Sequence, residues 1–210
     1  MSILEELASA VGVRTQEPND EAAARCQGRP QLLDEIAVGL AGRDPRLAGD
    51  CAEVMTKVAE KRPALVAPFA EALLAQLGHK NGRVRWESAH AFSLVAALVP
   101  KVVQRELDAF AKIAREDESV IVRDYVLDAI GAWGATDPKA AAKAFPVLSR
   151  ALGDWDGKHA ARILTALCAV VRAAPGHAAD ANRIAQRFAD HERAGVRRAA
   201  KALLKATTAS

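Results

Sequence analysis

The side chains with the clearest capacity for chemistry in this 210-residue chain are cationic: Arg105, Lys112, Lys139, Lys143, Arg150, Arg183 and Arg187. Arg105 and Lys112 are seven residues apart, as are Lys143 and Arg150, a spacing that places both members of a pair on one face of a helix. When the chain is cut into units of 37 or 38 residues, Arg105 aligns with Lys143, and Lys112 with Arg150 and, within one residue, Arg187. Such a row would neutralise the carboxylates of an acidic protein segment or, less well, the phosphates of nucleic acid, whose binding would fall steeply with salt. Asp108 interrupts the row and no aromatic residues interleave to stack on bases, features of a plain solvated surface; among ligands, an acidic protein ranks above nucleic acid. The competing reading is a solvated helix surface with no ligand.

Other chemistries find little support. Nucleophilic catalysis needs Ser, Cys or Thr beside a base and an orienting acid, and no GxSxG signature occurs. The five histidines, His79, His90, His159, His177 and His191, show no HExxH spacing. Cys26, Cys51 and Cys168 are odd in number, widely separated and free of any CxxC pairing, which argues against a disulfide framework or a zinc site and for a reducing compartment. Gly78, Gly82, Gly153, Gly157 and Gly195 are dispersed at unit boundaries, as turn residues are, rather than clustered into a phosphate-cradling loop. Asp124 with Asp128, and Asp154 with Asp156, read as helix-surface and cap residues rather than acid/base pairs. No catalytic residue, cofactor or metal is expected, and the expected class is a non-enzymatic interaction module.

The elements that position the basic row follow from a repeat. Half of the residues are apolar and only 4% aromatic, a composition of helices rather than of a β-sandwich. Leu47, Val84, Val122, His159 and Val196 act as anchors separated by 37, 38, 37 and 37 residues, and Pro63, Pro100, Pro138 and Pro175 each follow an anchor by 16. A proline ends a helix interior, so each marks a turn. Asp44, Asn81, Ser119 and Asp156 stand three residues before the first four anchors and are expected helix N-caps. His159 sits in an anchor slot and reads as a packing residue.

Apolar stripes with a helical period follow each anchor, for example Cys51, Met55 and Val58, or Val126, Ile130 and Trp133. Second helices carry their own pairs: Ile36 and Leu40, Leu73 and Leu77, Phe110 and Ala114, Leu148 and Leu152, Ile184 and Phe188. A lone hairpin cannot bury both stripes, so the expected fold is an all-α solenoid of about five stacked antiparallel hairpins. The expected division of the single domain is a degenerate cap at 1–42, repeats at 44–80, 81–118, 119–155 and 156–192, and a cap helix at 193–210. Within the first cap, Val13-Arg14 reads as a degenerate anchor whose helix Pro18 interrupts. Charge is uneven: residues 138–210 hold 13 Lys/Arg against 5 Asp/Glu, whereas residues 1–137 hold 16 against 21. The start has no basic leader region and no apolar run approaches a membrane span, so a soluble, cytoplasmic protein is expected, with no membrane partner.

The segments Asn81-Gly82-Arg83-Val84-Arg85, Ser119-Val120-Ile121-Val122-Arg123 and Ala194-Gly195-Val196-Arg197 resemble the start of the HEAT-repeat unit, over about residues 13 to 206. Ala48 and Ala160 replace the arginine in the other two units. The resemblance implies an Asp–Arg ladder between repeats, giving Arg85, Arg123 and Arg197 structural roles. It also implies second helices on the concave face. Some alkylpurine DNA glycosylases are built on HEAT-like repeats with concave-face tryptophans. Here Trp133 falls on a buried stripe, Trp155 in a turn and Trp86 near a helix start, which leaves that activity only a minor version of the nucleic-acid reading.

Overall fold

Runs rich in Ala, Leu and Arg, punctuated by proline and by Asp, Asn or Ser, fold as helices throughout. The computed structural model describes residues 2–208, so Met1 and the last two residues of the expected C-terminal cap lie outside the described residues. All regular structure among the described residues is helical, in two compact units, Met1–Val99 and Pro100–Ser210.

Unit 1 opens with a 3-10 turn (Ile3–Glu6) and continues with α1 (Glu17–Gly28), α2 (Leu32–Leu40), α3 (Pro45–Lys61), α4 (Pro63–Val66), α5 (Ala70–Leu74) and α6 (Gly82–Val95). Helix α3 is the hub, packed against α1, α2 and α6. Its Cys51, Met55 and Val58 are fully buried, as are Leu33 and Ile36 of α2 and Leu73 of α5. Each such side chain contributes about 1.5–3 kcal/mol when removed from water.

Unit 2 comprises α7 (Pro100–Glu116), α8 (Val120–Gly134), α9 (Pro138–Ala151), α10 (Ala160–Ala173), α11 (Ala178–Phe188) and α12 (Ala194–Thr208). Here α8, α10 and α12, the first helices of successive hairpins, pack closely in a row. The second helices α7, α9 and α11 touch one another far less. In unit 2 the second helices therefore form the splayed side of the stack. The chain is thus an all-α solenoid of helical hairpins, laid side by side within each unit.

The punctuation is largely as expected. Pro63, Pro100 and Pro138 each begin a helix and Pro175 begins a 3-10 turn. Asp44 accepts from the Arg46 amide, Asn81 from those of Arg83 and Val84, and Ser119 from that of Val122. Asp156 is not a cap: it lies in a left-handed turn (φ 52°, with Trp155 at 54°), and α10 starts after His159 instead. The expected helix at Val13-Arg14 is absent, because those residues belong to an extended loop. Pro18 interrupts nothing; it occupies the first turn of α1, where its missing N–H is no loss. Ile184 and Phe188 are only half-buried, and Ala181 and Ala185 take the core positions of α11.

Candidate functional site

All seven basic residues lie on second helices of unit 2 and all are exposed. Helix α7 buries Val103, Phe110 and Ala114, which turns Arg105 and Lys112 outward, and α9 buries Ala140, Ala144 and Leu148, which does the same for Lys139, Lys143 and Arg150. On α11 the small core residues Ala181 and Ala185 leave Arg183 and Arg187 at the surface.

Neighbouring acids neutralise part of this row. Arg105 pairs with Glu106 at 2.6 Å, Lys112 reaches Glu116 at 4.0 Å, and Arg183 pairs with Asp180 one turn away. Among the described residues, Lys139, Lys143 and Arg150 form no ion pair, and the Arg187 guanidinium lies over the Phe188 ring, 6.0 Å from its centroid. The free positive charge thus concentrates on α9, the middle helix of the three.

Because the second helices splay, shallow grooves run between them. One of about 390 Å³ separates α9 from α11, lined by Phe145, Ser149, Asp180, Arg183, Ile184 and Arg187. Phe145 stacks on His177 with ring centroids 4.4 Å apart, and the Ser149 hydroxyl is buried without a hydrogen-bond partner. A smaller depression of about 50 Å³ lies between α7 and α9, bordered by Arg115, Arg150 and Asp154. The surface offers cations and hydroxyl donors beside apolar floors, which suits an extended segment carrying carboxylates.

A second set of polar residues escaped the reading of the sequence. In unit 1 the buried carboxylates Asp50 and Glu53 of α3 both receive the guanidinium of Arg83 from α6, at 2.9 and 2.5 Å. In unit 2 Arg162 of α10 pairs with Asp124, at 3.3 Å, and with Asp128 of α8. Buried His159 accepts a hydrogen bond from Arg123 Nε on its Nε2 (3.0 Å), which leaves the ring proton on Nδ1 to be donated to Asp124 (2.7 Å). Both ring nitrogens are engaged, so His159 is a structural bridge and not a base, and it is more than the packing residue its anchor slot suggested. The signal was available: Glu53 and Asp128 each stand six residues after an anchor.

The anchor arginines each reach back to the turn before their own helix. Arg85 donates to the carbonyl of His79 at 3.1 Å, Arg123 to that of Asp117, and Arg197 to that of His191 at 2.7 Å, in every case six residues back. Each satisfies a carbonyl of the turn that precedes its own helix. Arg123, 1% exposed, is further covered by the Trp155 ring, whose centroid is 3.6 Å away and whose indole N–H bonds the Arg115 carbonyl at 3.1 Å.

No family model matches the sequence and no curated protein matches it. Solved structures do. An engineered protein matches with a TM-score of 0.69 at 17% identity, covering 100% of both chains. Computationally designed armadillo repeat proteins for modular peptide recognition match at a TM-score of 0.66 and 14% identity, over 97% of this chain and 98% of theirs. A designed armadillo repeat protein in complex with the peptide (KR)4 matches at 0.65 and 14%, over 98% of each chain. At such identities the likeness is one of fold, and it defines the chain as an armadillo-like helical repeat solenoid.

Proposed function

We propose that this chain is a non-enzymatic scaffold that docks an acidic protein segment on the exposed second helices of unit 2, and that its hairpins are HEAT-type repeats running 44–80, 81–118, 119–155 and 156–192. The observation that carries the reading is the unpaired charge of Lys143 and Arg150 on α9, flanked on both sides by grooves. Solenoids with this fold serve as peptide binders among the designed structures, one of them holding the basic peptide (KR)4. Here the exposed charge has the opposite sign, so the complementary segment is rich in Asp and Glu.

A labelled twelve-residue Glu/Asp peptide tests this by fluorescence anisotropy in low and moderate salt. Reversing Lys143 and Arg150 to Glu should weaken binding by about ten- to a hundredfold, since each exposed pair contributes on the order of 0.5–1 kcal/mol and reversal replaces attraction with repulsion. Peptide binding that is indifferent to this double reversal would sink the proposal. Tighter binding of duplex DNA than of the peptide, with a steep salt slope, would replace it with the nucleic-acid reading.

A further inference from the structure

In unit 1, the segment between the first 3-10 turn and α1 curls over the start of α3, with Gly12 at φ 76° in its bend. Beneath it lies a polar cavity of about 660 Å³ whose wall includes Ser9, Arg14, Arg46, Asp50, Glu53 and Arg83. Its occupant can be read from which of these groups are already satisfied.

Most of the acidic side of the wall is spent. Asp50, 1% exposed, receives Arg83 at 2.9 Å and Asn19 at 3.1 Å on Oδ1, and the Ser9 amide at 2.7 Å on Oδ2. Glu53 receives Asn19 at 2.9 Å and Arg83 at 2.5 Å on Oε2, while Oε1 makes no hydrogen bond and has the Lys57 ammonium 3.3 Å away. The contacts of Asp50 hold its carboxyl below the usual range despite its burial, so it stays charged and committed. What remains accessible at the wall is mainly cationic: the exposed Arg14 and Arg46, without an ion pair among the described residues.

From this imbalance we infer that the cavity of unit 1 binds a small multivalent anion, of the phosphate-ester or polycarboxylate class, held by the guanidinium groups of Arg14 and Arg46. Guanidinium groups match such oxyanions with paired N–H donors. Arg83, though bound to two carboxylates, keeps the floor from repelling the ligand. The site shares no residue with the docking surface of unit 2, so the two stand or fall separately.

Calorimetric titration of the full chain with pyrophosphate and with citrate, in low salt, tests the site and distinguishes the two anion classes. Saturable one-to-one binding of at least one is expected, weakened about tenfold or more in an Arg14→Ala, Arg46→Ala double variant, and unchanged in a Lys143→Glu, Arg150→Glu variant. Both arginines are exposed, and an unchanged melting curve for their variant confirms its fold. The inference is overturned if neither anion binds at millimolar concentration, if the double arginine variant binds as the parent does, or if both variants lose binding alike, since that would mark diffuse attraction.

Discussion

Glu87 holds a proton that a surface glutamate would release. Burial between α3 and α6 raises its carboxyl to about 7, and the charge of Glu53 adds to the effect. The Thr56 hydroxyl, which has a single proton, lies 3.0 Å from Glu87 Oε2 and 3.1 Å from the carbonyls of Ala52 and Glu87. A hydrogen bond from Thr56 to the Glu87 carboxylate favours its charged form and so offsets part of the rise that burial causes. Below the ordinary glutamate range Glu87 is neutral in folded and unfolded chains alike and costs nothing. Between that range and pH 7 only the unfolded chain gives up the proton, so stability falls as pH rises, and the loss is complete above about pH 7. Glu87→Gln should therefore stabilise the chain by on the order of 2–3 kcal/mol at pH 8 and leave it nearly unchanged at pH 4, as urea unfolding at the two pH values would show. Burial likewise pushes the Cys26 thiol up to about 11 and that of Cys51 to about 12, and raises Cys168. A disulfide reagent at pH 7.5 should label the native thiols at least about tenfold more slowly than those of the unfolded chain. None of these values could be read from residue types, because each depends on what two helices enclose. The free, unmotivated spacing of the cysteines was legible; their burial was implied only by the stripes they sit on.

Helix α8 shows where local preference and packing pull in opposite directions. Gly131 and Gly134 lie inside it, where alanine would favour the helix by about 1 kcal/mol. A Cβ on Gly131 would stand 2.6 Å from that of Ala166 on α10, and one on Gly134 would stand 2.5 Å from Ala144 and 2.9 Å from Val170. Overpacking costs about 1–3 kcal/mol, so Gly131→Ala and Gly134→Ala should lower stability despite the better propensity, and a rise in the unfolding midpoint would refute this. The turn before α10 offers the reverse case. Asp156, exposed and left-handed, costs about 1 kcal/mol relative to an unstrained residue. Asp156→Gly should raise stability by about 0.5–1 kcal/mol in thermal or chemical unfolding, part of the gain being offset by the freer unfolded chain. Most element boundaries were legible because proline and capping side chains act locally: four turn prolines and the caps at Asp44, Asn81 and Ser119 stand where their spacing put them. Asp156 failed as a cap because the tertiary stacking of Trp155 on Arg123 holds its turn, and Pro18 was misjudged because a proline starts a helix as readily as it ends one.

At the scale of the molecule, the repeat predicts how the chain opens as well as how it stands. Stacked hairpins gain stability mainly from nearest neighbours, so a local defect should loosen its own surroundings first. In a Gly134→Ala chain, labelling of Cys168 in α10 should speed up more than that of Cys26 in α1, which mass spectrometry of partly labelled protein would resolve. Both the periodicity and the basic row were legible, since neither requires knowing which side chains meet. The cavity of unit 1 was not, because Ser9, Arg14 and Arg46 come from a loop and a helix start that only folding brings beside Asp50 and Arg83. The indole of Trp155 sits at a junction of these two levels of organisation, seated on a buried guanidinium and tethered to the α7 terminus that borders the Arg150 depression. It is 43% exposed whereas Trp133 is wholly enclosed, so the chain carries its own optical sensor: a visitor settling beside Arg150 would change the emission of this one indole, with no dye attached.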